Sequence, residues 1–324
     1  HTLATRAQVE LSKDPITSRN FLRDGKPIPA RERIVQPELA ACLERLAVAG
    51  WQDFYHGAIA DDIAKDMQER EGLISPADLS QIPVPQERPA LEGRYRKHRI
   101  ATFPPPGAGR ALVEILNILE CFDPEEIDLE RPEAHVLLAH AFMHALRDRD
   151  QRPVDPDLYL QTRKKRMIDK RHAERIAERI RKLAPLSLPE SLIPRRPRGE
   201  TTHLSVADAD GNVVGITQSI ERIFGAKRAN PVHGFLYNNY MSTFEYRDMT
   251  HPYYLLPGGS PWSSVAPTLL SRGRSPVLCL GSPGSERIAT SLAQVITRVV
   301  DRKEEIGDAI AAPRLHSSMN GQMQ

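Results

Sequence analysis

A threonine hydroxyl holds its proton too tightly to attack a carbonyl at neutral pH, so a threonine nucleophile needs a base beside it. The residue's own α-amino group, with an ordinary pKa near ~7.7–8.0, is such a base, but it is free only when the threonine begins a chain. The run "RRPRGETTHLSVADADGN", Arg195 to Asn212, has two features that would suit such a conversion. Upstream of Thr201 and Thr202, Pro185, Pro189, Pro194 and Pro197 punctuate an aperiodic stretch that predicts an extended, exposed linker. Downstream, "HLSVADADGNVVGITQSI" alternates like two strands joined by an Asp-Gly turn and predicts a buried hairpin. A cut between Glu200 and Thr201 would then leave a terminal threonine on a rigid strand. The alternative is a plain strand start, since β-branched residues favour strands in any case.

Other groups could also carry chemistry. In "PVLCLGSPGSERIATSLAQVITRVV" a buried strand, a glycine-proline-glycine turn and a helix follow one another, so backbone amides at the turn could face an anion or simply close a tight turn. His135, His140 and His144 lie near one face of a helix predicted for "PEAHVLLAHAFMHALRDRD", where ordinary packing is the expectation, because nothing in the spacing makes metal ligands converge. Asp208, Asp210 and Asn212 resemble the start of a calcium loop. Val213 stands at that loop's glycine position and Ser219 at its bidentate glutamate, so a turn is expected instead. Cys42, Cys121 and Cys279 are odd in number, far apart and without metal spacing, and read as buried small hydrophobes.

The elements that must position these groups follow from periodicity. "PELAACLERLAVAG" and "GAIADDIAKDMQERE" predict two amphipathic helices, and "SPADLSQI" a short third one capped by Ser75. "GRYRKHRIATFPPPGAG" reads as one strand running into a proline-glycine loop, and "RALVEILNILECF" as a long helix. Arg163 to Lys182 carries ten Lys or Arg against three acids and only a partial apolar stripe, which predicts a solvated helix face. A nucleic-acid role for it would need aromatic stacking platforms that the run lacks. The 324 residues, 40% hydrophobic and 27% charged with a net charge of +2, are ordinary for a water-soluble chain and demand neither nucleic acid nor an anionic surface.

In order along the chain, "FYHGAIADDIAKDM", "GLISPADL", "FPPPGAG" with "ILNILE", "TTHLSVADADGNVVGITQSI", "GFLYNNYM", "SSVAPTLL", "GSPGSERI" and "AIAAPRLH" resemble the gamma-glutamyltranspeptidases, members of the N-terminal nucleophile hydrolases. The resemblance implies a mixed α/β fold, a four-layer αββα sandwich. It also implies a large-chain portion, 1–200, and a small-chain portion, 201–324, that together form one structural unit. The implied activity is autocatalytic cleavage of a zymogen at Glu200–Thr201, followed by glutathione hydrolase or gamma-glutamyltransferase chemistry through an acyl-Thr201 intermediate, with no metal or organic cofactor.

By the same resemblance Ser219 supports the nucleophile, and the N–H groups of Gly284 and Ser285 form an oxyanion hole. Ser263 and Ser264 hold the substrate's α-carboxylate. Glu221, Tyr240 and Thr243 stand where the family recognises the α-ammonium; Thr243 replaces the usual aspartate, and the family's carboxylate-binding arginine belongs to a segment upstream of His1. The implied partners are a small γ-glutamyl or acyl-amide substrate, water or an acceptor amine, and a possible second copy of the chain, with neither nucleic acid nor a membrane span. The family's compartments vary, so localisation stays open. A catalytically silent, uncut binding protein is the competing expectation.

Overall fold

The computed structural model describes residues 1–82, 85, 87–150, 165–183, 199–251 and 253–319. The chain folds as two compact units, one of residues 1–87 and 220–239, the other of 88–219 and 240–324. The Pro/Arg stretch before Gly199 lies outside the described residues.

The first unit is helical. It contains α1 (Thr2–Leu11), α2 (Pro15–Phe21), the two-residue strands β1 (Leu22–Arg23) and β2 (Lys26–Pro27), then α3 (Pro37–Ala49), α4 (Asp53–His56), α5 (Ala58–Glu69) and α6 (Pro76–Ser80). The two expected amphipathic helices are α3 and α5, with the short α4 between them. Ser75 caps α6 as expected, in a reciprocal box with Asp78. Apolar faces of α3, α5 and α6 meet through Cys42, Ile59, Ile63 and Leu79, with Phe235 and Tyr237 of the 223–239 loop packed on them. Buried Asp14 caps α2 through Thr17 N–H and accepts from Arg70, which also holds Asp66 at 2.6 Å. Tyr237 Oη donates to Asp66 at 2.8 Å, so the loop is tied to α5 by a charge-assisted network.

The second unit is built on an antiparallel sheet in the order β3-β4-β7-β8, with β3 (Leu91–Tyr95), β4 (His98–Thr102), β7 (Thr268–Arg272) and β8 (Ser275–Leu280). The expected single strand at 93–103 is therefore a hairpin, β3–β4. Its turn contains Arg96 at φ 51°, a left-handed position that sequence reading assigns to glycine or asparagine. α7 (Gly109–Leu119) is buried all round, which marks a central core helix, and its apolar residues pack with those of α10 (Arg287–Asp301) in the unit's main core. Gly109 starts α7 where a Cβ would lie 2.2 Å from the Phe103 carbonyl oxygen, so no larger residue fits the turn out of β4.

α8 (Pro132–Asp150) and α9 (Lys170–Arg181) pack on α7. The basic run is thus more than a solvated face. Its described part forms a 3-10 turn at Lys165–Ile168 and then α9, whose Ala173, Ile176, Ala177 and Ile180 enter the core. Arg163 and Lys164 fall outside the described residues.

β5 (Gly199–Ala207) and β6 (Val213–Arg222) pair as a hairpin, and α11 (Ile306–Ala311) follows α10. The alternating pattern predicts a buried hairpin, but Leu204, Val206, Val214 and Ile216 are each half exposed or more. β8 is likewise not a buried strand, since only Leu280 is fully covered. Of the cysteines only Cys42 is buried, and all three are free thiols.

Candidate functional site

β5 carries Thr201 near its start and β6 carries Ser219 near the end of its run in the second unit. The hairpin register brings them together: Thr201 Oγ1 donates to Ser219 Oγ at 3.2 Å. The turn between the strands is closed by Asp208, whose carboxylate accepts from the N–H groups of Asp210 and Asn212 and from the Asn212 side chain at 2.7–3.0 Å. These bonds hold that carboxyl below its ordinary range, the Asn212 side chain contributing most. The DxDxN run is therefore a turn whose first carboxylate is spent on its own backbone.

His203, two residues beyond Thr201, pins the hairpin in place. Its Nδ1 lies 2.7 Å from Thr217 Oγ1 and its Nε2 2.9 Å from Ser205 Oγ, while Ser205 Oγ donates to the Cys279 carbonyl of β8 at 3.1 Å. Burial lowers the His203 pKa, favouring the neutral ring. The ring occupies space that Gly281 leaves open, since a Cβ there would stand 2.1 Å from His203 Nδ1. Sequence reading missed His203, Ser205, Thr217 and Gly281 as positioning residues. Their signal was the i, i+2 spacing of polar residues on one strand face.

The turn after β8 places Gly284 at φ 131° and Ser285 at φ 55°. Their carbonyls accept from Arg287 and Ile288 N–H, which starts α10, while their own N–H groups donate to no group among the described residues. Two such amides precede the N-terminal end of a 15-residue helix, where exposed N–H groups and the helix dipole favour negative charge. Buried His316 meets Thr290 Oγ1 of the same helix at 3.1 Å, and burial together with Arg287 and Arg149 pushes its imidazole down to about 4. Arg149 lies over the Trp262 ring at 4.6 Å.

Next to Trp262, Ser263 donates its N–H to the Pro106 carbonyl, and its hydroxyl lies 3.2 Å from Tyr240 Oη. Ser264 is buried. Thr243 turns its hydroxyl back to the Tyr240 carbonyl at 2.8 Å, and its own carbonyl accepts from Trp262 Nε1 at 3.1 Å. Tyr240, Thr243, Trp262 and Ser263 therefore make one connected wall. Glu221 belongs to the first unit, at φ 75°, and burial raises its carboxyl above the ordinary range.

The three histidines of α8 do not gather into a ligand set among the described residues: His135 Nε2 lies 2.8 Å from the Leu129 carbonyl oxygen, and burial lowers the pKa of His140 and His144. No helix among the described residues is long and apolar enough to cross a membrane.

Comparison with known proteins adds an independent line. A family profile described as Gamma-glutamyltranspeptidase matches residues 1–323. The chain is 34% identical over 310 residues to the glutathione hydrolase proenzyme of Escherichia coli K12, covering 91% of this chain and 53% of that protein. It is 34% identical over 313 residues to the acylase ACY 1 proenzyme of Pseudomonas sp. V22, covering 94% and 54% respectively. The crystal structure of a cephalosporin acylase from Bacillus halodurans superposes with a TM-score of 0.83 at 23% identity, over 97% of this chain and 56% of that one. The chain thus spans about half the length of the relatives it matches, and its fold is the mixed α/β fold of the N-terminal nucleophile hydrolases.

Proposed function

Because the chain belongs to the gamma-glutamyltranspeptidase family, we propose that it contains the catalytic portion of an N-terminal threonine amidase that cuts itself between Glu200 and Thr201. The observation that carries this reading is the Thr201–Ser219 hydroxyl pair at 3.2 Å, directly downstream of the proline-rich stretch. In the precursor, Thr201 Oγ1 adds to the Glu200 carbonyl carbon. The bond from that carbon to the Thr201 nitrogen then breaks as the nitrogen takes up a proton, and water hydrolyses the resulting ester to leave Glu200 as a carboxylate and Thr201 with a free amine. The portions 1–200 and 201–324 stay associated after the cut, because β4 of the first pairs with β7 of the second in one sheet.

In the processed enzyme that amine takes the Oγ1 proton while the oxygen attacks a substrate amide. Ser219 accepts a hydrogen bond from the hydroxyl and orients it. The N–H groups of Gly284 and Ser285 stabilise the tetrahedral oxyanion; such donors are worth about 3–4 kcal/mol of barrier each. Protonated by the ammonium, the amine product leaves, and water or an acceptor amine then takes the acyl group from Thr201.

Ser263 and Ser264 bind the acyl side chain's carboxylate end, and Tyr240 and Thr243 recognise its other substituents. The Tyr240 hydroxyl against Ser263 and the absence of an acid at Thr243 favour acyl groups without an α-ammonium, such as glutaryl amides, over glutathione itself. An ammonium buried without a carboxylate would be costly there. Relatives named both glutathione hydrolase and acylase support an amide substrate of this breadth.

Intact-mass analysis of purified protein tests the proposal. Wild type converts on incubation to fragments 1–200 and 201–324, and Thr201→Ala stays whole and turns over neither γ-glutamyl nor glutaryl anilides. A wild-type chain that stays uncut after prolonged incubation would instead favour the silent binding protein.

A further inference from the structure

Glu114, Asp148 and His172 stand on three different helices of the second unit, and none takes part in the chemistry proposed above. α7 supplies Glu114, fully buried; α8 supplies Asp148; α9 supplies His172, also buried. His172 Nε2 lies 2.7 Å from Asp148 Oδ2 and 3.2 Å from Glu114 Oε1. One ring nitrogen carries at most one hydrogen, so it cannot fully satisfy both oxygens. The other oxygen of Glu114, Oε2, is buried and accepts no hydrogen bond from the described residues. A carboxylate half satisfied in a dry interior is costly unless a cation completes it.

We propose that this triad binds a single divalent metal ion of the class that accepts one imidazole and two carboxylates, such as zinc, cobalt(II) or manganese(II). Ligand atoms ~2.0–2.2 Å from such an ion stand about 3.0–3.5 Å apart for angles between the right angle and the tetrahedral one. The Glu114 separation of 3.2 Å falls in that range, the Asp148 separation of 2.7 Å would open by a few tenths, and all three ligand atoms lie within 4.8 Å of one another. Once the ion displaces their protons, two carboxylates and a neutral imidazole supply two negative charges, which match a divalent cation. Oxygen and imidazole donors without a thiolate place the site away from soft ions such as copper(I). Asp148 is the most exposed of the three, at 18%, so ion entry and any water ligands belong on its side. The ion would tie α7, α8 and α9 together at the back of the core rather than act on substrate.

The test is equilibrium dialysis of the full chain against Co²⁺ or Zn²⁺ with elemental analysis, supported by visible spectroscopy of the Co²⁺ form. The expected result is one ion per chain, a Co²⁺ d–d band, and a melting temperature that rises with ion concentration because only the folded chain presents the site. Glu114→Gln and Asp148→Asn should each weaken retention by at least about tenfold, while Thr201→Ala retains the ion. Asp148→Asn, at the partly exposed position, keeps the test valid if Glu114→Gln does not fold. Retention below a tenth of an ion by wild type overturns the proposal, as does equal retention by Asp148→Asn. A Glu114→Gln protein that melts higher than wild type with no dependence on added metal overturns it too, because a shared proton would then be the missing cation.

Discussion

Gly281→Ala isolates the contact that seats the Thr201 hairpin against β8. The backbone at Gly281 does not lie in the left-handed region, so alanine brings no torsional strain and only its methyl matters. That methyl would stand 2.1 Å from His203 Nδ1 and 2.4 Å from Cγ, where relaxed heavy-atom contacts lie at about 3.5–4.0 Å. The ring must therefore move by more than an ångström, which breaks the bonds to Thr217 and Ser205 at 2.7 and 2.9 Å. Two hydrogen bonds at about 0.5–1.5 kcal/mol each, plus overpacking of about 1–3 kcal/mol, put the cost at about 2–6 kcal/mol.

His203→Ala alone should cost about 1–3 kcal/mol, for the same two bonds. In the double variant the new methyl enters the space the ring has vacated, so its cost should nearly match that of His203→Ala. The coupling energy then equals the Gly281→Ala cost in size, about 2–6 kcal/mol. Urea unfolding gives the four stabilities, carried out on a Thr201→Ala background so that every sample is one uncut chain. Additivity within about 0.5 kcal/mol would refute the argument that Gly281 exists to admit His203. On the Thr201 background the same two single variants should slow cleavage at Glu200–Thr201, followed by intact mass.

Two further outcomes follow from the site wall and from His316. Tyr240→Phe removes the hydroxyl 3.2 Å from Ser263 and frees that serine for a substrate carboxylate; the KM for a γ-glutamyl anilide should fall several-fold with kcat little changed, and an unchanged KM would place Tyr240 outside the pocket. His316 folds neutral, with its imidazole near 4 against an ordinary 6.5, because burial first and Arg287 and Arg149 next disfavour its charge. The unfolded chain takes up that proton at higher pH than the folded one. Its contribution is therefore whole above pH 6.5, is lost as pH falls from 6.5 towards 4, and changes no further below that. The gap corresponds to at most about 3 kcal/mol, of which about 2 should be gone at pH 5. Denaturation midpoints at pH 7.5 and pH 5 should thus differ less in His316→Gln than in wild type, and equal differences would show that another group sets the acid limb.

Long periodic helices were legible because an apolar stripe every three or four residues is a strong local signal, as α3, α5, α7 and α10 bear out. The β3–β4 hairpin was not, because its turn runs through Tyr95, Arg96 and Lys97 without glycine or asparagine, and a non-glycine residue takes the left-handed position. α9 hid its buried side for a related reason. Its stripe is made partly of Ala173, Ala177 and His172, which a count of large apolar residues passes over amid the ten basic residues of 163–182. The Glu114–Asp148–His172 cluster had no sequence signal at all, since its members stand 34 and 24 residues apart on separate helices and only packing of those helices joins them.

The pairing of Thr201 with Ser219 shows where sequence reading and folding part company. The stretch between them, 18 positions from one to the other, carries no motif for a hydroxyl pair; what delivers it is register. Side chains alternate along a strand, so a slip of one residue between β5 and β6 would turn Ser219 to the opposite face from Thr201. Register in a hairpin is set by its turn, and here the turn is fixed by Asp208, by the Asp208 N–H bond to the Asn212 carbonyl at 3.1 Å and by Gly211 at φ 84°. The acidic run that imitates a cation loop therefore acts at a distance, as the clamp that decides which β6 residue faces Thr201. A carboxylate already holding three of its own loop's N–H groups has little left to offer an ion, and that same engagement is what makes the register stiff.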